Sequence, residues 1–239
     1  MQSITFEDRL KRAFKKHPVT MTILLINTVM VILLMAFSSS IFSFDTTTLV
    51  NFGALVPSLI TNQHAYYRLI TAMFLHGSII HFLMNSYFLY IIGGFVEDLF
   101  GKTKYIIIYF ISGLGSSLLI WLTQMDSTTA TIGASGALFG IMGALLVLTY
   151  KKPSLFSPYG IRSIRTLVVI NIFFTFIGFN ISIFGHIGGF FTGIILMYLL
   201  SPKTIGPNHT SPPHNEHTHH GNYVIDADDV SDDDIYYKN

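Results

Sequence analysis

Cysteine is absent from this chain of 239 residues, and charge is scarce, with Asp, Glu, Lys and Arg making up only 11%. Without cysteine there is no disulfide scaffold, and no thiolate to serve as metal ligand or nucleophile. A formal net charge of +1 leaves no basic excess for a nucleic-acid surface. A chain disordered throughout would be polar and charged, whereas 51% of these residues are hydrophobic and 14% aromatic. A membrane protein or a very apolar soluble domain remains, and the positions of the charges decide between them.

Five stretches contain no Asp, Glu, Lys or Arg: 19–38, 79–96, 105–123, 133–150 and 166–201. The first four are 18 to 20 residues long, which matches the ~20 apolar residues that cross a hydrocarbon core of about 30 Å. The last has 36 residues, enough for two crossings, with a polar break at 178–186 as the turn. So many charge-free runs argue against a soluble core. The expected fold is all-α: a polytopic membrane protein with a bundle of six transmembrane helices, at about 19–38, 79–96, 105–123, 133–150, 166–183 and 184–201.

Lys and Arg set the orientation. Arg9, Lys11, Arg12, Lys15 and Lys16 precede the first span, Lys102 and Lys104 follow the second, and Lys151, Lys152, Arg162 and Arg165 follow the fourth. Lys203 and Lys238 lie after the last span, and Arg68 alone falls in the alternate loops. Both termini are therefore expected on the cytoplasmic side. The first span resembles a signal peptide in its basic flank, but 20 apolar residues are long for a signal-peptide core, so it reads as an uncleaved helix.

Outside the membrane domain of 19–201 lie a short basic arm, 1–18, and a tail, 202–239. The tail holds five of the ten histidines and seven of the thirteen acids, and reads as disordered. Its cluster His214, His217, His219 and His220 has donors for a metal, but a solvated low-complexity segment is the plainer reading. No metal and no other cofactor is expected. The loop 39–78 is too apolar for a simple linker and is expected to lie in the membrane interface; long ordered loops are usually functional.

A strongly polar residue inside a span is a functional candidate by default. The second span carries His81 and Asn85, the fourth opens on Gly133-Ala134-Ser135-Gly136, and the sixth opens near Gly185-His186. These three spans run in the same direction, and in each the polar residue lies close to the outer end. At 1.5 Å rise per residue the four side chains share one depth, within roughly 10 Å of the outer edge of the core. His81 and Asn85 are i and i+4, on one helix face. Gly136-x-x-x-Gly140 and Gly189-x-x-x-Gly193 are small-residue faces that let helices pack backbone to backbone. Packing them together would bring the Ser135 hydroxyl to the His186 imidazole. A serine beside a histidine is the minimum for an activated nucleophile. His81, Asn85 and the Ser135 N–H would serve as oxyanion donors. No Asp or Glu lies in the spans to orient His186, so the expected site is a dyad. Taken singly, each signal has a bland alternative: a serine bonding its own helix, a packing histidine, a common glycine motif. Their coincidence at one depth carries the functional reading.

These motifs resemble those of the rhomboid intramembrane serine proteases. Gly133-Ala134-Ser135-Gly136 resembles the family's GxSG motif, His81-x-x-x-Asn85 its HxxxN element, and Gly185-His186 with Gly189-x-x-x-Gly193 its histidine and packing glycines. Tyr67-Arg68 resembles a Trp-Arg pair of the first loop, and Gly93-Gly94-x-x-Glu97 the end of the second helix. The resemblance covers roughly 65–200 and six helices match the bacterial core. It implies Ser135 as nucleophile, His186 as general base and acid, and His81, Asn85 and the Ser135 N–H as oxyanion stabilisers. It further implies structural support from Arg68, His76, Glu97, Gly133, Gly136, Gly189 and Gly193, and substrate entry near the fifth helix. Two departures stand out: Tyr67 in place of the Trp, and Phe139 where some members have Tyr and where a ring could stack on His186.

The expected function is a serine endopeptidase that cleaves transmembrane-helix substrates near the outer membrane face. Its partners would be a transmembrane protein substrate and membrane lipid, with no nucleic acid, and its location the plasma membrane of a bacterium. A transporter using His81, Asn85 and His186 as a polar pathway is the alternative. Conduction needs polar groups across the full depth, and the inner halves of these spans are nearly wholly apolar. A non-catalytic membrane-protein binder would not need both Ser135 and His186.

Overall fold

A computed structural model describes residues 5–178 and 181–201; the tail expected at 202–239, with its histidine and aspartate clusters, lies outside the described residues. The chain starts with α1 (Phe6–Lys16) and α2 (Pro18–Phe37), followed by three short helices in the first loop, α3 (Thr46–Asn51), α4 (Pro57–Gln63) and α5 (Arg68–Thr71). Next come α6 (Ile79–Phe88), which runs through a π-helical turn at Leu89–Gly93 into α7 (Gly94–Phe100), and α8 (Lys102–Thr123). The described residues close with α9 (Ser135–Lys151), α10 (Pro158–Ile177) and α11 (Ile183–Leu200). Two isolated antiparallel bridges, Ser43 with Ser78 and Leu55 with Thr131, are the only extended pairings among the described residues.

Among the described residues, five helices are long and apolar enough to cross a membrane: Pro18–Phe37, Ile79–Phe100, Lys102–Thr123, Pro158–Ile177 and Ile183–Leu200. Ser135–Lys151 is apolar but shorter, with 17 residues, about 25 Å at 1.5 Å per residue. It is the core of the bundle. Twelve of its residues are buried, among them Leu138, Ile141, Leu145 and Leu148, which pack with Tyr105, Ile108 and Tyr109 of α8 and Met197 of α11.

The α9–α11 contact is backbone on backbone. A Cβ added at Gly189 would collide with the Gly136 carbonyl oxygen, and one at Gly193 with that of Gly140. On another side of α9, a Cβ at Gly136 or Gly140 would strike the Ser116 or Ser112 side chain of α8. No larger residue fits at this spacing, which is the use small-x-x-x-small faces have where lipid removes any hydrophobic preference between helices.

The fifth helix departs from the expected 166–183. It begins at Pro158, after Ser157 accepts a cap hydrogen bond from Gly160 N, and ends at Ile177. Freedom from charge misplaced it, because Arg162 and Arg165 lie within its first turns. Arg165 is accommodated by stacking on Tyr150 at 4.0 Å and by donating to Thr149 Oγ1 and O, both at 3.2 Å. The same holds for the second and third spans, which extend over Glu97 and Asp98 and over Lys102 and Lys104. Charged groups thus form part of these helices at the end where basic residues concentrate.

Glu97 explains how α2 begins. His17 provides no side-chain cap and Pro18 no N–H, so the first turn of α2 needs an acceptor. Glu97 of α7 supplies it, accepting from Val19 N at 3.0 Å and from Thr20 N and Oγ1 at 2.9 Å. The carboxylate is only 4% exposed and welds the second span to the first.

The first loop is ordered by similar means. Arg68 Nη1 donates to Val50 O and Ala54 O, each at 2.8 Å, pinning α5 to the turn after α3. Asp45 caps α3 through Thr48 N at 2.8 Å, and this donor, with the Ser38 hydroxyl, holds its carboxyl well below the usual carboxylate range. Phe44, Leu49, Ala54 and Leu75 then pack on Val31 and Leu34 of α2.

Candidate active site

Four helix ends meet at one end of the bundle: the first turns of α6, α9 and α11 and the last turn of α10. Each brings one polar side chain: His81, Ser135, His186 and Thr175. Local sequence fixes the first three. Ser78 accepts from His81 N at 3.1 Å and so starts α6 three residues before His81. Ser182 accepts from Gly185 N at 3.2 Å and starts α11 just before His186. Gly133 has φ +122°, a backbone region that L side chains rarely adopt, and its N–H donates to Ala72 O at 2.9 Å. That turn delivers Ser135 as the first residue of α9, where helix N–H groups lack intrahelical partners.

Ser135 Oγ lies 3.0 Å from His186 Nε2. Phe139, one turn into α9, stacks on the imidazole with ring centroids 3.9 Å apart and planes inclined by 16°. The stack needs no hydroxyl, consistent with phenylalanine at this place.

His81 faces the same space. An atom at the Cβ position of Gly133 would lie 3.1 Å from His81 Nε2 and 3.7 Å from Ser135 Oγ. His81 Nδ1 accepts from Gly77 N at 3.4 Å, which leaves the ring proton on Nε2, toward the serine. His76 packs edge-on against the His81 ring at 5.2 Å and is itself fully buried. Burial, and secondarily the neighbouring His81, pushes His76 down to about 3, so it supports His81 as a neutral ring. Asn85 is also buried, but its amide donates to His81 O at 3.2 Å, one turn back on its own helix. One of its two N–H groups is thereby used, and no hydrogen bond links it to Ser135.

Thr175 was not among the residues expected from the sequence. Its Oγ1 lies 2.9 Å from His186 Nδ1 and donates to Asn171 O at 2.9 Å. Thr175 and His186 stand at the head of a cavity of about 190 Å³ between α10 and α11, lined otherwise by Phe139, Ile172, Phe176, Ile187, Phe190 and Phe191.

Fold and site together define a multi-pass helical membrane protein with a serine and a histidine paired at one end of its bundle. A family model for the Rhomboid domain matches residues 63–203, more than half of the chain, and the chain belongs to the rhomboid family. The Rhomboid protease GluP of Bacillus subtilis (strain 168) is 36% identical over 151 residues, which cover 63% of this chain and 29% of that protein. RHOMBOID-like protein 7 of Arabidopsis thaliana is 34% identical over 164 residues, 65% of this chain and 50% of that one. The putative rhomboid protease YdcA of the same Bacillus is 29% identical over 138 residues, 58% of this chain and 69% of that protein. The chain thus spans less than a third of the length of GluP and half that of RHOMBOID-like protein 7.

Proposed function

We propose that the chain is an intramembrane serine endopeptidase that cleaves transmembrane-helix substrates near the outer membrane face through Ser135 and His186. The observation that carries this reading is the 3.0 Å approach of Ser135 Oγ to His186 Nε2 at the head of α9. Ser135 Oγ attacks the scissile carbonyl carbon as its proton passes to Nε2, and the carbonyl π pair moves onto oxygen. When the tetrahedral centre collapses, the carbon–nitrogen bond breaks, Nε2 returns the proton to the leaving amine, and the acyl group stays on Oγ. A water molecule, deprotonated by the same nitrogen, then attacks the acyl carbon; the carbon–Oγ bond breaks, Nε2 returns the proton to Oγ, and the acid product leaves. The Ser135 N–H, His81 Nε2–H and the second amide N–H of Asn85 are the donors proposed for the oxyanion. Each such donor is typically worth about 2.7–4 kcal/mol in the transition state.

Arg68, His76, Glu97 and the glycines at 133, 136, 189 and 193 support the site rather than touch substrate. A helical substrate hides its carbonyls in hydrogen bonds, so helix-weak Gly or Pro segments are preferred. The basic residues favour cytoplasmic termini and put the site toward the outer face, with α9 as a sixth crossing in a bacterial plasma membrane. The relatives called proteases support the reaction class.

Labelling with a fluorophosphonate tests the nucleophile. Wild-type protein is expected to take the adduct on the peptide containing Ser135, and Ser135→Ala to take none. An adduct that persists in Ser135→Ala would overturn the assignment.

A further inference from the structure

Threonines bonding back to the carbonyl four residues earlier are common in this chain. Thr28, Thr123 and Thr192 all do so, and for Ser and Thr in membrane helices this needs no functional reason. Thr175 differs in that its second partner is a ring nitrogen of the candidate base. Its hydroxyl carries one hydrogen, and the bond to Asn171 O at 2.9 Å uses it. Toward His186 Nδ1, 2.9 Å away, Thr175 Oγ1 can therefore only accept. Both contacts are satisfied together when Nδ1 holds the proton, which leaves Nε2 of the neutral ring as a lone pair facing Ser135 Oγ. A hydrogen bond at one ring nitrogen decides which tautomer is present, and only the Nδ1–H tautomer can take the serine proton.

Burial supports the same conclusion. Only Val168 and Thr175 of α10 are buried; its other side chains lie at least partly exposed. A polar residue in a span that turns inward onto another polar side chain is a functional candidate. Among the described residues no carboxylate bonds to His186, so this hydroxyl holds the place an orienting acid would occupy.

We propose that Thr175 is the positioning residue of the Ser135–His186 pair, fixing the histidine's tautomer and ring orientation from α10. The inference rests on the protease reading. It also makes the base depend on a helix with few inward-facing residues.

The test compares full-length wild type, Thr175→Val, which keeps the shape but loses the hydroxyl, and Thr175→Ser, which restores it. A net hydrogen bond of about 0.5–1.5 kcal/mol corresponds to roughly a two- to tenfold effect. Cleavage of a model transmembrane substrate by Thr175→Val is expected to lose kcat toward the upper end of that range. KM should stay within about twofold, and Thr175→Ser should recover most of the rate. The ¹⁵N resonances of His186 should place the proton on Nδ1 in wild type and shift it toward Nε2 in Thr175→Val. Unchanged kcat in Thr175→Val, or a wild-type ring protonated on Nε2, would overturn the proposal. If Ser135→Ala cleaves as well as wild type, the protease reading has failed instead. The nitrogen spectra of wild type and Thr175→Val then still decide whether Thr175 sets the tautomer.

Discussion

Phe139 lies flat on the His186 imidazole at 3.9 Å and is buried between α9 and α10. Truncating it removes both a wall of the site and a core side chain. Phe139→Ala should lower the unfolding free energy by about 3 kcal/mol and reduce kcat, whereas Phe139→Tyr should keep the stack and the rate; thermal melts and cleavage assays check both. Gly133→Ala is a second residue-scale case. Its backbone has φ +122°, and the added methyl would sit 3.1 Å from His81 Nε2. Activity should fall sharply in folded protein, read as cleavage normalised to the correctly folded fraction. The gathering of Ser135, His81 and His186 at one end of the bundle was legible in the sequence because polarity inside an apolar run is conspicuous, and because three spans of one direction carry these residues near the same end. Thr175 was not legible. With the fifth span placed at 166–183 it falls near mid-membrane, whereas the helix ends at Ile177 and brings Thr175 level with the site.

At the scale of elements, the joints are polar at the basic end of the bundle and glycine-based in its middle. Glu97 caps α2 with three hydrogen bonds while almost fully buried. Glu97→Gln turns one acceptor oxygen into a donor facing N–H groups. It should cost about 1.5–3 kcal/mol, the usual worth of a hydrogen bond to a charged group, seen as a lower melting temperature in detergent. Gly189→Ala drives a methyl into the Gly136 carbonyl. It should destabilise by about 1–3 kcal/mol and separate Ser135 from His186, so activity falls more than stability does. The helices themselves were visible as charge-free runs. Their ends were not, because Glu97, Lys102, Lys104, Arg162 and Arg165 lie inside helices with their charges met locally or held at the basic end. The short helices of the first loop carry no long periodicity. They are held by long-range bonds such as Arg68 to Val50 O and Ala54 O, which no local pattern reports.

The whole molecule is a multi-pass helical bundle of the rhomboid family, and His76 of the first loop should contribute to the pH dependence of its stability. His76 is neutral when folded, with a pKa pushed down to about 3, and returns to about 6.5 when unfolded. Between those values the unfolded chain binds a proton that the folded chain does not, so stability rises with pH there and is lost on acidification, by up to about 1.4 kcal/mol per pH unit. Melting temperatures from pH 7 to pH 4 should fall in wild type and fall less in His76→Phe; parallel curves would show that His76 makes no linked contribution. The central claim is that this bundle exists to pair Ser135 with His186 for peptide-bond hydrolysis. Its most direct test is cleavage of a model transmembrane substrate in liposomes by purified wild type, Ser135→Ala and His186→Ala. Cleavage by wild type alone is the predicted result, and undiminished cleavage by either variant would contradict it.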